Sequence, residues 1–218
     1  TGNEHYQKPF GPMIGGIKFA EYNDLDSVKK LVNDKTCAII LEPLQGEGGI
    51  YPAEKEFIEG IRKICNEKDI IMICDEVQCG MGRTGKMFAF QNYDVVPDII
   101  TSAKGLGCGV PVGAFIAGEK CCDSLVPGDH GTTYGGNPFA TAAVEAVLNI
   151  YEKENILDNV NNVGKYLEEQ LDNLVKECDN VLERRGKGMM QGLVLKNPVG
   201  EVITKAIEKG LLVISAGG

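Results

Sequence analysis

The hydrophobic pattern alternates between short continuous apolar runs and stretches with helical periodicity. Four runs have the length of buried strands: Cys37–Leu41, Ile70–Cys74, Asp98–Ser102 and Gly113–Ala117. Three stretches are predicted to be helices: Asp24–Asn33, Glu54–Lys68 and Pro138–Tyr151. Because continuous apolar runs that alternate with helices are typical of sheets covered on both faces, the pattern predicts an α/β structure with a mostly parallel sheet.

A different pattern begins near Glu152. A long amphipathic helix is predicted over Ile156–Cys178, with leucines and valines at helical spacing. Two strands, a helix and a further strand are then predicted: Val181–Arg185, Met189–Leu195, Glu201–Lys209 and Leu211–Ile214. We therefore expect residues 1–152 to form part of a large domain and residues 153–218 part of a smaller α+β domain. The polar start without Met and the end just after an apolar run are typical of part of a longer protein.

Composition narrows the class of protein. Hydrophobic residues make up 43% and charged residues 24%, which is ordinary for a globular domain. The net charge of -9 argues against nucleic acid and anionic membranes as partners. No apolar run is long enough to span a bilayer. The eight cysteines show no C-x-x-C spacing, so we expect reduced thiols in a cytoplasmic protein and no metal site.

Polar residues stand at or just beyond the ends of three of the predicted strands. Glu42 follows the first, Asp75 the second, and Lys104 the third, where it opens a glycine-rich turn. Ligands of open α/β sheets bind at the carboxyl ends of strands, so these residues are expected to share a site. A lone lysine beside such a turn is usually a solvated side chain, and Glu42 is equally explained as a turn cap before Pro43.

The combination of residues favours one cofactor chemistry. A lysine that attaches covalently to a cofactor needs a partly desolvated amine, and pyridoxal phosphate (PLP) needs a carboxylate beside its pyridinium nitrogen. Asp75 can serve as that carboxylate. Thr132 and Thr133 lie in a glycine-rich turn before a helix and can donate to a phosphate. A nucleotide-binding domain is a weaker alternative, because Pro111 and the absence of a following helix disfavour a dinucleotide loop.

Four motifs resemble those of class III aminotransferases, in the order of that family. The segment Asp75-Glu-Val-Gln-Cys-Gly-Met-Gly-Arg-Thr-Gly85 is similar to the D-E-V-Q-T-G-x-G-R-T-G signature. Pro97–Pro111 resembles the cofactor-lysine segment, and the other two matches are Glu42–Gly49 and His130–Pro138. The resemblance runs across essentially the whole chain, and it implies the fold type I of PLP-dependent transferases.

The resemblance implies roles around the cofactor ring. Lys104 would carry PLP covalently and then move a proton between the substrate Cα and the cofactor C4′. Asp75 would pair with the pyridinium nitrogen, Val77 would pack on the ring face, and Gln78 would donate to the phenolic oxygen. Cys108 stands in the lysine loop where the family commonly has Gly.

Further roles concern the phosphate and the substrate. Thr133, with Thr132 beside it, would reach the phosphate of the neighbouring subunit's cofactor, which implies a homodimer. Glu47 would pair with an arginine and gate the two half-reactions. Glu76 and Arg83 are expected to be structural.

The resemblance also suggests substrates. The expected reaction transfers the amino group of N-acetylornithine to 2-oxoglutarate, in arginine biosynthesis. Gly48 supports this, because ornithine-specific members usually have Ala there. The alternatives are ornithine, succinylornithine or 4-aminobutyrate as amino donor, or a non-catalytic fragment that keeps the fold.

Overall fold

A computed structural model describes residues 2–217, so Thr1 and Gly218, at the outer ends of the two predicted domains, lie outside the described residues. The helices are α1 (Glu4–Gln7), α2 (Leu25–Leu31), α3 (Lys55–Lys68), α4 (Pro138–Lys153), α5 (Ile156–Glu177) and α6 (Gly200–Glu208). The strands are β1 (Ala38–Leu41), β2 (Leu44–Gln45), β3 (Tyr51–Pro52), β4 (Ile71–Asp75), β5 (Ile99–Ser102), β6 (Ala114–Ala117), β7 (Val181–Lys187) and β8 (Met190–Leu195).

A four-stranded sheet, in the order β1-β4-β5-β6, organises the first part of the chain. The first two pairings are parallel, with Leu41 opposite Cys74 and Asp75 opposite Thr101. The mostly parallel α/β sheet is therefore confirmed. Strand β6 runs antiparallel to β5, because the intervening residues contain a single 3-10 turn rather than the helix that a parallel crossover requires.

Helix α3 covers this sheet and contributes one buried face to the main core cluster. It buries Phe57, Ile58, Ile61 and Cys65, which recur at the spacing of one helix face. These side chains pack with residues of β4 and β5 such as Met72 and Ile100. Burying each large aliphatic side chain stabilises the fold by about 1.5–3 kcal/mol, so α3 fixes the strands whose ends carry the site.

Two residues, Glu154 and Asn155, connect helices α4 and α5. The Asn137 side chain caps α4 by accepting from the Ala140 amide at 3.0 Å, and Pro138 begins the helix, as predicted. Asn155 has a left-handed φ of 49°, which turns the chain into α5. The β7–β8 hairpin packs on α5, and Arg184 joins the two elements by donating to Asp172 at 2.6 Å.

The predicted strand at Leu211–Ile214 is wrong. These residues have no regular secondary structure, and Leu212 and Ile214 are each 84% exposed. A strand needs a neighbour for its backbone groups, and within residues 2–217 β7 and β8 pair only with each other. The segment instead runs towards Glu47, whose carbonyl accepts from the Gly217 amide at 2.9 Å.

Two close approaches join the glycine-rich loop after β4 to the second part of the chain, and a third lies within that second part. We call the contacts among Gly85, Gly164 and Gly188 the glycine junction. A Cβ at Gly164 would lie 2.9 Å from the Gly188 Cα, and a Cβ at Gly188 would lie 2.6 Å from the Arg83 carbonyl oxygen. At Gly85 a Cβ would overlap Asn161, whose amide donates to the Gly85 carbonyl at 3.1 Å.

Across residues 2–217 we find no helix with the length and apolar character needed to cross a bilayer.

Candidate active site

Three side chains meet at the carboxyl edge of the parallel strands, as predicted. Glu42 directly follows β1, Asp75 ends β4, and Lys104 lies just beyond β5. The pKa of Glu42 is raised mainly by burial; the Gly46 amide opposes that shift, the Asp75 charge adds to it, and Lys104 lowers it. The three groups therefore lie close enough at this edge of the sheet for the charges of Asp75 and Lys104 to affect Glu42.

Asp75 presents a carboxylate that is fixed through one oxygen. Its Oδ1 accepts from the Val77 amide at 3.0 Å and from the Thr101 hydroxyl at 3.2 Å. No donor in residues 2–217 hydrogen-bonds to its Oδ2. An oriented carboxylate with a free oxygen fits a protonated ring nitrogen.

Lys104 occupies a strained backbone position. Its φ of 43° lies in the left-handed region, which side chains other than glycine seldom adopt. The turn is held by two hydrogen bonds to the Lys104 carbonyl, from the Gly107 and Cys108 amides, both at 3.2 Å. Cys108 is also left-handed, with φ 46°, a conformation that favours glycine. Strain that neighbouring contacts maintain is typical of functional sites.

Lys104 borders two cavities. The larger has a volume of about 600 Å³, within the range of small-molecule sites, and its lining includes Val77 and Gln78. The smaller, of about 490 Å³, is lined by Lys104, Arg83 and the residues of the lysine loop. The sequence thus identified Lys104, Val77 and Gln78 as neighbours in space. Asp75 is not among the lining residues of either cavity.

Glu47 and Gln78 are directly linked across the larger cavity. Gln78 donates from Nε2 to Glu47 Oε1 at 3.2 Å. The side chain of Gln78 lies against Gly46, where any Cβ would overlap it. A residue predicted to hold the cofactor and one predicted to gate the substrate are therefore joined by a hydrogen bond.

Thr132 and Thr133 lie elsewhere. Both are exposed in the loop before α4, and Thr132 Oγ1 accepts from the Gly135 amide at 3.2 Å. Neither lines the cavities beside Lys104. His130, in the same loop, is exposed as well. The predicted contact of the threonines with the cofactor of a neighbouring subunit stays a prediction.

Glu76 has the structural role that the sequence suggests. It is fully buried and accepts from the Ala89 amide at 2.7 Å and the Phe90 amide at 2.8 Å. Burial raises the pKa of its carboxyl, and the two amides partly offset that shift.

Two residues of the site were missed. Arg83 was expected to be structural, yet its side chain lines both cavities beside Lys104. Tyr151 lines the larger cavity and donates to the Met81 carbonyl at 2.6 Å. Nothing in the apolar helix that contains Tyr151 marks it as a site residue, whereas a cation within a glycine-rich loop, such as Arg83, is a sequence signal for a ligand site.

The residues at the sheet edge fit PLP. The Lys104 amine, which can attach an aldehyde, and the Gln78 amide line the larger cavity, and the oriented carboxylate of Asp75 ends β4 at the same edge of the sheet. Within this chain the phosphate has no equally evident set of donors, because the two threonines lie outside the cavities.

Comparison with known proteins shows the family of the chain. The family model for class-III aminotransferases matches residues 1–218. The chain is 47% identical to acetylornithine aminotransferase of Clostridium acetobutylicum and 50% identical to that of Caldanaerobacter subterraneus. These matches cover 100% and 99% of the chain but 56% and 55% of the relatives, so it spans about half the length of each.

Solved structures show the same fold. The ornithine aminotransferase of Toxoplasma gondii superimposes with a TM-score of 0.93 at 29% identity, over 100% of this chain and 53% of that one. Class III aminotransferases depend on PLP, the cofactor that the cluster around Lys104 fits. The match of the family model over residues 1–218 and the shared fold show that the chain belongs to the class-III aminotransferase family.

Proposed function

We propose that the full-length protein transfers the amino group of N-acetylornithine to 2-oxoglutarate, with PLP as cofactor. The observation that carries this proposal is the cluster of Lys104, Asp75 and Gln78 at one sheet edge of a class-III chain. The relatives with 47% and 50% identity, both named acetylornithine aminotransferase, support the choice of amino donor.

Each residue of the cluster has a definite task in this proposal. When bound, PLP supplies an electron sink for negative charge at the carbon that bears the amino group. Lys104 binds the cofactor covalently and, once released, moves the proton at that carbon. The free Oδ2 of Asp75 keeps the ring nitrogen protonated. Val77 supports the ring face, and Gln78 donates to the phenolic oxygen.

Glu47 and the threonine loop complete the proposed site. The hydrogen bond from Gln78 holds Glu47 at the cavity wall, where a carboxylate can pair with an arginine and alternate between the two substrates. Thr132 and Thr133 are assigned to the phosphate of a partner subunit in a homodimer. Their exposure and their distance from this chain's own cavities support that assignment.

The proposal also covers domains and location. Residues 1–152 are assigned to the cofactor-binding domain and residues 153–218 to the small domain. The break at Asn155 and the separate β7–β8 sheet support this division. A cytoplasmic location is supported by eight free thiols, which are typical of reducing compartments.

A direct comparison of amino donors tests the substrate. The full-length protein with PLP and 2-oxoglutarate is assayed with N-acetylornithine, ornithine, succinylornithine and 4-aminobutyrate. We expect the highest kcat/KM with N-acetylornithine. A clear preference for another donor would overturn the substrate assignment and leave the reaction type in place.

Removal of the proposed cofactor lysine tests the reaction. In the full-length protein, Lys104→Ala should abolish transamination and prevent borohydride from fixing PLP to the protein. Lys86→Ala, at an exposed lysine outside both cavities, serves as the matched control and should retain both properties. Turnover in Lys104→Ala would refute the role of Lys104.

A further inference from the structure

Arg83 differs from the other arginines of the chain. The sequence contains four arginines, and three form ion pairs: Arg62 with Asp98 at 2.9 Å, Arg184 with Asp172 at 2.6 Å, and Arg185 with Glu183 at 2.9 Å. For Arg83, no carboxylate in residues 2–217 lies within ion-pairing distance. Its side chain is exposed at the cavities, so its five N–H donors are open to a ligand.

The main chain at Arg83 is held firmly although its side chain is free. The Arg83 carbonyl accepts from the Met189 amide at 2.9 Å, and its own amide donates to the Gly80 carbonyl at 3.4 Å. Gly188 of the glycine junction packs directly against this peptide. The guanidinium is therefore attached to a fixed point, which lowers the entropic cost of placing it on a ligand.

Among the charged side chains that line the larger cavity, Arg83 is the cation available to bind a substrate. The ionisable lysine, arginine and acidic side chains of its lining are Glu47, Arg83 and Lys104. Glu47 is an acidic side chain, and Lys104 is assigned to the cofactor. Burial raises the pKa of the Tyr151 hydroxyl, and the Arg83 charge partly lowers it again. The Arg83 charge is therefore felt at the cavity wall that contains Tyr151.

We propose that Arg83 binds a carboxylate group of the substrate, an inference that rests on the proposed transamination. Both N-acetylornithine and 2-oxoglutarate carry carboxylates, and a planar guanidinium can hold a carboxylate through two parallel hydrogen bonds. Arg83 is then a substrate-binding residue that lies beside Lys104 on the same cavity wall. The other source of the same chemistry is an acidic side chain from outside these residues, in which case Arg83 would be structural.

Binding of a non-reacting ligand distinguishes a substrate carboxylate from a protein carboxylate as the partner of Arg83. Glutarate has the two carboxylates of 2-oxoglutarate without its keto group, and its affinity for the full-length PLP-loaded enzyme can be measured by calorimetry. We expect Arg83→Gln to weaken glutarate binding by about tenfold or more and to raise the KM for 2-oxoglutarate similarly. Arg83→Lys, which keeps the charge but loses the planar fork, should show an intermediate loss.

Lys86→Gln is the matched control for charge. It removes a positive charge three positions along the same loop, outside both cavities, and should leave the glutarate affinity unchanged. A loss equal to that of Arg83→Gln would indicate a general field effect and overturn the inference. Unchanged glutarate affinity in Arg83→Gln would overturn it too, and a lowered thermal midpoint in that case would assign Arg83 to a protein carboxylate.

The failure of the proposed function would look different. An unsubstituted enzyme that binds PLP but transfers no amino group would refute transamination, whatever the glutarate affinities are. An active enzyme in which Arg83→Gln binds glutarate normally would refute the role of Arg83 alone.

Discussion

At the scale of single residues, strained backbone positions gather around the cavities. Ile50, Lys104 and Cys108 all have left-handed φ angles, of 58°, 43° and 46°, and each lines a cavity. Such conformations cost of order 1–3 kcal/mol each and persist only where surrounding contacts maintain them. The cavity walls are therefore fixed by the fold before any ligand enters.

Substitution of Asp75 tests its role in catalysis separately from its role in folding. In Asp75→Asn the side-chain oxygen can still accept from Val77 and Thr101, so folding should be preserved. A neutral amide cannot keep the ring nitrogen protonated, and kcat should fall by about a hundredfold or more. Steady-state rates of the full-length enzyme measure this, with circular dichroism as the check on folding. Equal rates in the variant and the parent would remove Asp75 from the mechanism.

Glu76 should give the stability of the protein a recognisable pH dependence. Burial raises the folded-state pKa of its carboxyl above the reference value of 4.5. The folded state then binds the proton more tightly than the unfolded state. The contribution to the free energy of unfolding is therefore fully present below pH 4.5 and is lost as the pH rises through the folded-state pKa.

The variant Glu76→Gln isolates this effect. Gln cannot ionise, so the decline of unfolding free energy with rising pH should become shallower. One of the two amides at Ala89 and Phe90 loses its acceptor, which lowers stability by about 1–3 kcal/mol at every pH. Urea unfolding of the full-length protein from about pH 4 to about pH 8 measures both the slope of the unfolding free energy with pH and the loss of stability that does not depend on pH. A decline as steep as that of the parent would show that Glu76 does not cause it.

At the scale of elements, α3 is the support of the site. Ile58 is fully buried between this helix and the sheet. Ile58→Ala should lower the free energy of unfolding by about 2–5 kcal/mol, because it opens a cavity that neighbouring atoms cannot fill. Asn66→Ala, at an exposed position of the same helix, should change stability by less than about 0.5 kcal/mol. Similar unfolding midpoints for the two variants would contradict this packing argument.

Local signals explain why some elements were predictable and others were not. The face of α3 and the start of α4 at Asn137 follow from residue spacing and capping within one segment. The antiparallel direction of β6 and the absence of a strand at Leu211–Ile214 depend on which strands are available for pairing. An apolar run does not specify the strand with which it pairs. The same limit applies to the candidate site: the strand-end positions of Lys104 and Asp75 follow from the local pattern, whereas the carbonyl of the cavity residue Arg83 is held by Met189 of a hairpin distant in sequence.

At the scale of the whole molecule, large apolar side chains remain at the surface. Phe115 and Ile116 of β6 are 53% and 49% exposed, and Leu211–Ile214 adds a further apolar segment. Apolar patches of this kind favour association. The 218-residue chain by itself should therefore self-associate in a concentration-dependent manner, which analytical ultracentrifugation can measure. A monomer at all concentrations would contradict this expectation.

The isolated chain should also lack aminotransferase activity. Lys104 and Asp75 are present, but Thr132 and Thr133 do not line its cavities, and the curated relatives are nearly twice as long. Positioning of the reacting groups can contribute about 7–11 kcal/mol to catalysis, and that contribution needs the whole site. The assay uses saturating PLP, N-acetylornithine and 2-oxoglutarate. Glutamate formation that depends on Lys104 would show that the chain is sufficient.

The glycine junction limits how the protein can be divided. A designer who sought two independent modules would cut near residue 152, where one helix gives way to the next. That cut would separate Gly85 from Gly164 and Gly188. Each piece would then expose glycine backbone that, in the whole chain, packs closely against another element with no side chain in between. Reassembly of such halves would restore the hydrogen bond from the Met189 amide to the Arg83 carbonyl and so return the hairpin to the Arg83 loop.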